Sequence, residues 1–491
     1  MICIKRGLIL IHRSLGIVLC LILALWFASG MVMMYAGYPE LTARERYAGL
    51  APLELDNSNA SPAQAAARAS LTNAPLRVRL TMVLDRPAYH FLPTDGPWIT
   101  VFADDGSRLK GIRPEAITAS AQAFAPAPAV SYEERLDLDQ WSVSSALDPF
   151  RPLHRVALGD HAGTELYVSN ATGEVVRDTT RRERLWGWLG AIVHWIYPVQ
   201  LRQHRELWRQ VIIWLASIGA VLAATGASVG LTRYRFRKTY RHRERGTPYR
   251  GVLKWHHLTG LVFGAFAITW TFSGLLSVNP GNLFPDPAPD AREKEIIAGG
   301  PYSLAAFDRP VAEAWRIASR HVTPREAELV QFAGEPYYLF FESPDRSIVV
   351  SARGETPAVF ARFDKDQLTR VSAELIPRHE ISEAALLEDY DLYYYAHHQE
   401  VRLPVLRIQF NDERRTQYYL DPHTGAILQK LDRRSRTYRW LFNALHSFDY
   451  PLLINHRPAW DLVVIGLCMG GLALSCTGIV VAWQRLKRLQ G

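Results

Sequence analysis

The feature that most constrains the fold of this chain is an internal repeat. A shift of 252 positions carries residues 164–226 onto residues 416–478 without a gap. A repeat of this length predicts a duplicated structural unit. Each copy contains two histidines ten residues apart, and the shift places His194 and His204 on His446 and His456. Any chemistry that these histidines perform is therefore expected to occur in pairs.

Four apolar segments are long enough to cross a bilayer, which requires about 20 residues. They are residues 7–35, 207–231, 255–278 and 459–483. The chain is 48% hydrophobic but its mean hydropathy is only −0.07, as expected when apolar spans alternate with water-soluble parts. The first run exceeds the apolar core of a cleaved signal peptide, so we interpret it as a retained anchor.

The basic residues predict the orientation of the spans. They cluster at the chain start, in the loop 232–254 and in the tail 484–491. Cytoplasmic segments carry such an excess of Lys and Arg, so both termini are expected in the cytoplasm. The long stretches 36–185 and 279–438 then face the outside, which is the periplasm in a Gram-negative cell. The net charge of +8 is explained by topology and does not indicate a nucleic-acid partner.

A second, shorter repeat relates the first and third spans. At a shift of 244, His12 falls on His256, and Ser29-Gly30 falls on Ser273-Gly274. The repeated unit is then a span, a periplasmic domain, an amphipathic lead-in (186–206 or 439–458) and a second span. Two parallel copies predict a four-helix bundle with a pseudo-two-fold axis along the membrane normal. Strand-like runs with turn residues predict α+β periplasmic domains.

The histidines at the cytoplasmic ends of the spans suggest a cofactor. An ionisable or ligating side chain in a membrane span is costly to place and indicates function. Iron in haem b takes an imidazole nitrogen from each side, and facing helices of a bundle can supply both. On a two-fold axis, His12 with His256 would hold one haem as iron ligands.

A second haem is expected near the periplasmic ends, and two histidine pairs compete for it. The candidates are His194 with His446 and His204 with His456. Their spacing does not choose between them. His257 has no symmetric partner, because Arg13 matches it, so it is included as a substitute ligand.

Other residues near the histidines suit a porphyrin. Gly16 and Gly260 lie four residues after His12 and His256, on the same helix face, and would leave room for its plane. Four arginines are candidate partners for the propionates: Arg13, Arg202, Arg205 and Arg457. The chain contains no P-loop, no GxGxxG after a strand, no GxSxG and no HExxH. Nucleotide-driven transport, a built-in flavin domain and zinc proteolysis therefore have no sequence support.

Several of these motifs also resemble a known family. The segments TELYVSNATGEVVRDTTRRERLWGWLGAIVHWIYP and YRGVLKWHHLTGLVFGAFAITWTFSGLLSVNP resemble the PepSY-associated transmembrane proteins of proteobacteria. The turn in YYLDPHTGAIL resembles the end of a PepSY domain, a small helix-plus-sheet module. The resemblance covers essentially the whole chain.

The resemblance implies an inner-membrane protein of iron uptake, similar to ferric-siderophore reductases with two haems in a four-helix bundle. It implies that the matched histidines ligate haem b. It also implies an oxidoreductase that reduces Fe(III) in a siderophore or other chelate on the periplasmic side, with electrons from a quinol or a cytoplasmic reductase. The alternative is a non-enzymatic, membrane-tethered binder or protease regulator, because PepSY domains also occur in protease propeptides.

Overall fold

The computed structural model describes residues 2–55, 60–239, 245–397 and 401–490. The chain divides into two compact units, each assembled from both halves of the sequence. The helical unit comprises Met1–Tyr38, Glu183–Pro285 and Arg434–Gly491. The sheet unit comprises Pro39–Arg182 and Asp286–Arg433.

Four long helices form the helical unit. They are, in chain order, the first to fourth spanning helices: Ile2–Met33, Arg205–Arg233, Val252–Leu276 and Ala459–Gln490. Each is long and apolar enough to cross a membrane by length and composition, which confirms the four predicted membrane helices. The first and third helices both pack against the second and the fourth, so the first and third lie diagonally across the bundle.

The segments that lead into the second and fourth spanning helices share an unusual backbone. Each begins as an α-helix, continues as a π-helix and ends in a short helix: Arg181–Gly187, Trp188–Ile192 and Val199–Arg202 in one, Arg433–Arg439, Trp440–Ala444 and Pro451–Ile454 in the other. His194 and His446 lie two residues beyond their π-helices. Single π-helical turns are rare and frequent at functional sites.

The connection between the second and third spanning helices contains two short strands, Arg235–Thr239 and Arg245–Gly246, which pair antiparallel. Residues 240–244 of the predicted basic loop lie outside the described residues. A 3₁₀-helix, Pro280–Asn282, follows the third spanning helix.

The sheet unit contains one shared sheet and two smaller ones. The shared antiparallel sheet runs, in spatial order, Val359–Phe360, Arg346–Ser351, Glu335–Ser343, Glu326–Phe332, Arg77–Val83, Arg86–Leu92 and Ile99–Phe102. The first half of the chain adds the sheet Ser131–Leu136, Leu153–Ala157, Glu165–Ser169 and Val175–Thr179. The second half adds the sheet Ile381–Leu387, Val405–Phe410, Gln417–Leu420 and Ile427–Leu431.

Short helices cover these sheets. The α-helices are Ala43–Gly49, Pro62–Arg68, Pro114–Phe124, Ala291–Ala298, Val311–Ala318 and Lys365–Ser372. The 3₁₀-helices are Ser145–Phe150, Leu304–Ala306 and Ala373–Leu375. Helix and sheet packed in this way agree with the predicted α+β composition.

The two long polar stretches, predicted as the domains 36–185 and 279–438, share one antiparallel sheet. The edge strands Arg77–Val83 and Glu326–Phe332 pair antiparallel, with Arg79 opposite Glu328. This pairing satisfies the backbone hydrogen bonds of two edges that would otherwise be open. Each half therefore supplies the strand edge with which the other half pairs.

The repeat extends further towards the N-terminus in the structure than in the sequence. In the first half, the Tyr167 hydroxyl donates to Asp139 at 2.6 Å, and Arg155 lies 3.7 Å from the same carboxylate. A shift of 252 positions gives the matching group of the second half, in which Tyr419 and Arg407 each donate to Asp391 at 2.9 Å. Both four-stranded sheets thus carry the same Tyr–Asp–Arg group.

A buried ion network joins the halves of the sheet unit. Arg46 and Arg79 each contact the carboxylates of both Glu174 and Glu326, at distances of 2.5 to 2.9 Å. Burial raises the pKa of Glu326, but the two guanidinium groups outweigh burial and hold this pKa at about 2. The same causes hold the pKa of Glu174 well below its usual range. Both carboxylates are therefore ionised at neutral pH, and the paired charges connect strands from both halves.

Replacing Glu326 by Gln leaves Arg46 and Arg79 buried with less counter-charge. We expect the free energy of unfolding of the sheet unit to fall by about 3–5 kcal/mol, the usual cost of removing one partner of a buried ion pair. Hydrogen exchange of the two strands that join the halves measures this as lost protection. Glu328→Gln is the matched control, because its half-exposed partner Arg77 makes that pair worth about 1 kcal/mol or less. Equal losses in both variants would contradict the role of the network.

Acid should remove the same stabilisation. The folded-state pKa of Glu326 is about 2 and its ordinary value is 4.5. The network therefore contributes fully above pH 4.5 and loses its contribution as the pH falls from 4.5 towards 2. We expect the difference in thermal midpoint between the wild type and Glu326→Gln to narrow over that range. A difference that stays constant down to pH 3 would argue against this assignment.

Candidate cofactor site

The first candidate pair lies between diagonal helices of the bundle. His12 is on the first spanning helix and His256 is on the third. Their ring centroids are 6.2 Å apart and the ring planes differ by 30°. The structure thus brings together two histidines that are 244 positions apart in the sequence and that the shorter repeat aligns with each other.

Hydrogen bonds to the neighbouring helices fix both rings of this pair. His12 Nδ1 lies 3.2 Å from the carbonyl oxygen of Leu222, and His256 Nδ1 lies 3.3 Å from that of Leu474. The Thr477 hydroxyl is a further partner of His256 Nδ1 at 3.3 Å. A carbonyl oxygen only accepts, so the proton is on Nδ1 and the lone pair is on Nε2. Metal-ligating histidines are oriented by this kind of bond.

The second candidate pair consists of His194 and His446, which follow the two π-helices. Their ring centroids are 6.0 Å apart and the ring planes differ by 68°. His194 Nδ1 lies 3.2 Å from both the Trp26 carbonyl oxygen and the Ser29 hydroxyl. His446 Nδ1 lies 3.0 Å from the Ser273 hydroxyl.

The serine hydroxyls act as acceptors for these imidazoles. Ser29 donates its own proton to the Leu25 carbonyl at 2.7 Å, and Ser273 donates to the Trp270 carbonyl at 3.2 Å. The oxygen of each serine is then left to accept from an Nδ1–H group. The proton of His194 is accordingly placed on Nδ1, as in the first pair.

Each of the four imidazoles rests against a glycine of a spanning helix. A Cβ atom built at Gly226 would lie 2.6 Å from His12 Cε1, a distance that real Cβ atoms do not show. The corresponding distances are 3.3 Å from Gly478 to His256, 3.4 Å from Gly30 to His194 and 3.5 Å from Gly274 to His446. A Ser or Thr precedes every one of these glycines: Ser29, Thr225, Ser273 and Thr477. We call these pairs the hydroxyl–glycine dipeptides.

The separation of the rings fits one iron between each pair. An imidazole nitrogen binds a metal at about 2 Å and lies about 1.1 Å from its ring centroid, so two axial rings have centroids about 6.2 Å apart. The observed separations are 6.2 and 6.0 Å. Both pairs also keep a proton acceptor at Nδ1. The residues present therefore fit two bis-imidazole haem sites.

The remaining histidine candidates do not join a pair. His204 directly precedes the second spanning helix and is exposed. His456 is also exposed, and its Nδ1 bonds to the Leu452 carbonyl at 2.9 Å. Within the described residues, the structure does not bring their rings into contact. The physical reason is that His204 and His456 are exposed to solvent and lie on separate segments.

His257 is a buried histidine whose two nitrogens already have partners. Nδ1 lies 2.7 Å from the Thr247 hydroxyl and Nε2 lies 2.9 Å from the Gly230 carbonyl oxygen. Neither nitrogen can ligate a metal without losing one of these bonds. In this arrangement His257 holds the loop before the third spanning helix.

Gly16 and Gly260 are not the glycines that face the imidazoles. A Cβ atom at Gly16 would lie 3.7 Å from Cys20 Sγ, and one at Gly260 would lie 3.5 Å from Leu474, both ordinary contacts. The glycines beside the rings are on neighbouring helices, so spacing along one helix could not reveal them. The sequence could have identified them, because all four hydroxyl–glycine dipeptides recur in the two repeats.

The four candidate arginines are in different environments. Arg13 and Arg205 are exposed, and Arg457 binds Asp461. The Arg202 guanidinium lies over the rings of Tyr197 and Trp208, at 5.0 and 4.8 Å. Its Nε and Nη1 atoms are buried without a hydrogen-bond partner among the described residues. Among the four arginines, Arg202 is therefore the candidate whose guanidinium N–H groups are available to bind a carboxylate.

A comparison with protein-family models shows the family of the chain. The model of the PepSY-associated TM region matches residues 10–318, which is more than half of the chain. The chain therefore belongs to the PepSY-associated transmembrane family, and with its four apolar helices it is a membrane protein. A search of curated proteins finds no match.

The glycine beside His12 provides a direct test of the fit. Alanine at position 226 would place a Cβ atom against the His12 ring and push the imidazole away from His256. On the hypothesis that each pair holds one haem, Gly226→Ala should lower the haem bound per chain from two towards one, measured by absorbance after extraction. The control is Gly264→Ala, whose Cβ atom meets no atom within 4 Å. Two fully retained haems in Gly226→Ala would show that this glycine does not accommodate the ligand ring.

Proposed function

We propose that this protein is a haem-containing electron-transfer protein of the bacterial inner membrane. It reduces ferric iron, held by a siderophore or another chelate, on the periplasmic side during iron uptake. The proposal rests on the distance between the two rings within each histidine pair. The ring centroids are 6.2 Å apart in one pair and 6.0 Å apart in the other, and each distance suits one iron between two imidazoles.

The placement of the two pairs supports transport of electrons across the membrane. Gly30, which rests against His194, lies 18 residues after His12 on the first spanning helix. At 1.5 Å per residue this is about 27 Å, close to the roughly 30 Å of hydrocarbon in a bilayer. With the termini in the cytoplasm, the His12–His256 pair lies near the cytoplasmic face. The His194–His446 pair then lies near the periplasmic face.

The repeated contacts support a pseudo-two-fold bundle. The carbonyl acceptors Leu222 and Leu474 differ by 252 positions, as do the glycines Gly226 and Gly478. A flat cofactor on such an axis meets the same residue type on both faces. On this proposal, the sheet unit faces the periplasm and consists of two PepSY-like halves.

The protein's own residues hold and orient the cofactors. When bound, haem supplies reversible one-electron transfer. The carbonyl and hydroxyl acceptors keep each imidazole proton on Nδ1, so that Nε2 stays available as a ligand. Arg202, whose guanidinium lies over Tyr197 and Trp208, would pair with a haem propionate. The apolar helices exclude water from the ligand rings and so protect the iron from competing ligands.

The chemistry of the substrate explains why reduction serves iron uptake. Siderophores bind iron through hard oxygen donors, which hold Fe(III) much more tightly than Fe(II). Transfer of one electron to the ferric chelate therefore lowers the affinity of the chelator for the iron. The electron comes from a quinol or a cytoplasmic reductase, and Fe(II) is released on the periplasmic side.

Paired alanine variants test this function. The purified wild type is expected to show a Soret band and two haems per chain. His12→Ala/His256→Ala and His194→Ala/His446→Ala should each lose one haem, because each removes both ligands of one site. The matched control is His204→Ala/His456→Ala, which should keep both haems, since these two histidines are exposed.

Reoxidation of the dithionite-reduced protein by a ferric hydroxamate chelate measures the activity. It should be fast in the wild type and lost in the His194→Ala/His446→Ala variant. Absence of a Soret band, or a band unchanged in both ligand variants, would contradict the proposal. A colourless protein that retains a periplasmic partner on pull-down would support the membrane-tethered binder or protease regulator instead.

A further inference from the structure

The two histidine pairs differ in their hydrogen bonds and ring angles. We infer that Ser29 and Ser273 are positioning residues that give the His194–His446 pair the higher reduction potential. Electron transfer from the His12–His256 site, with its lower potential, to the His194–His446 site is then thermodynamically favourable. This inference rests on the proposed function, because it concerns haems held by these residues.

The first difference is the acceptor at Nδ1. In the His12–His256 pair, both rings donate to backbone carbonyl oxygens, at 3.2 and 3.3 Å, and His256 shares its proton with the Thr477 hydroxyl at 3.3 Å. This pair therefore has two carbonyl acceptors and one hydroxyl, whereas Ser29 and Ser273 supply a hydroxyl to each ring of the other pair. His446 donates to the Ser273 hydroxyl, and His194 shares its proton between the Ser29 hydroxyl and a carbonyl. A hydroxyl is a weaker acceptor than a peptide carbonyl, so it raises the basicity of the imidazole less. A less basic axial ligand stabilises Fe(III) less and thereby raises the potential.

The second difference is the angle between the ring planes, 30° in the His12–His256 pair and 68° in the His194–His446 pair. In low-spin Fe(III) one d orbital of π symmetry lacks an electron. Two nearly parallel imidazoles donate into that same orbital and stabilise the ferric state together. Nearly perpendicular rings donate into different orbitals, so the ferric state gains less and the potential is higher.

The serines are built to hold this geometry. Ser29 is 1% exposed and Ser273 is fully buried. Each hydroxyl is anchored on its own helix by donation to a carbonyl of the preceding turn. The hydroxyl oxygen therefore has a fixed direction in which it accepts a proton. Both serines precede the glycines that contact the same imidazoles, so one dipeptide sets the distance and the direction of each ring.

The two differences act in the same direction. Weaker acceptors and a larger ring angle both raise the potential of the His194–His446 site relative to the His12–His256 site. A potential that rises towards the periplasmic face drives electrons outwards, in the direction that reduction of an external chelate requires. The duplicated bundle thus carries two chemically unequal sites.

A spectroelectrochemical titration of the purified wild type tests the order of the potentials. We expect two separate reduction steps, and we expect the step of higher potential to be missing from His194→Ala/His446→Ala. Electron paramagnetic resonance of the oxidised wild type should show two low-spin ferric signals. The more anisotropic signal should be lost in the same variant, since nearly perpendicular rings increase the anisotropy. Persistence of the higher step in that variant would overturn the inference.

Single serine variants test the positioning role. Ser273→Ala should raise the potential of the higher step further and leave the lower step unchanged, because it removes a hydroxyl acceptor from His446 and does not touch the His12–His256 pair. Ser273→Thr keeps a hydroxyl and should restore the wild-type value. The matched control is Ser277→Ala, an exposed serine one turn later whose hydroxyl bonds to the Gly274 carbonyl. A Ser273→Ala protein with two haems and unchanged potentials would overturn the assignment.

The failure of this inference is distinguishable from the failure of the proposed function. A wild type without haem contradicts the proposed function. A wild type with two haems of equal or reversed potentials contradicts only the inference.

Discussion

The helical unit depends on the contact between an imidazole and the backbone of a neighbouring helix. A histidine in an apolar bundle is costly unless its N–H group has an acceptor. Each imidazole of the two pairs gives its Nδ1 proton to a carbonyl or hydroxyl of another helix. Glycine at the same turn lets the ring approach closely enough to make that bond. The contact therefore satisfies the N–H group and leaves Nε2 as the unprotonated nitrogen of the ring.

Duplication explains why the sites occur in pairs. A single copy of the repeat supplies half of a bundle, one open sheet edge and one imidazole per site. Two copies close the bundle and pair the edge strands Arg77–Val83 and Glu326–Phe332. They also bring the Arg46–Glu326 ion pair together across the halves of the sheet unit. Each half therefore completes sites and edges that it cannot complete alone.

The sequence predicts the four helices and the proximity of the His12 and His256 rings, because the helices depend on local composition and the proximity on a repeat. It does not choose between His194 and His204. That choice depends on a π-helical segment before His194 and on the exposed start of the next helix at His204, which are properties of the backbone. The glycines beside the rings are also missed, since they belong to other helices than the histidines that they contact. The shared sheet is missed because strand pairing between distant segments has no local pattern.

The haem content of the purified wild-type protein tests the central claim most directly. The claim is that two histidine pairs, each held by neighbouring helices, bind one haem apiece in this membrane protein of the PepSY-associated family. Haem extraction combined with amino-acid analysis should give two haems per chain, with the low-spin spectrum of bis-imidazole iron. A protein that binds no haem when produced with excess haem, or binds it with a high-spin spectrum, would contradict the account.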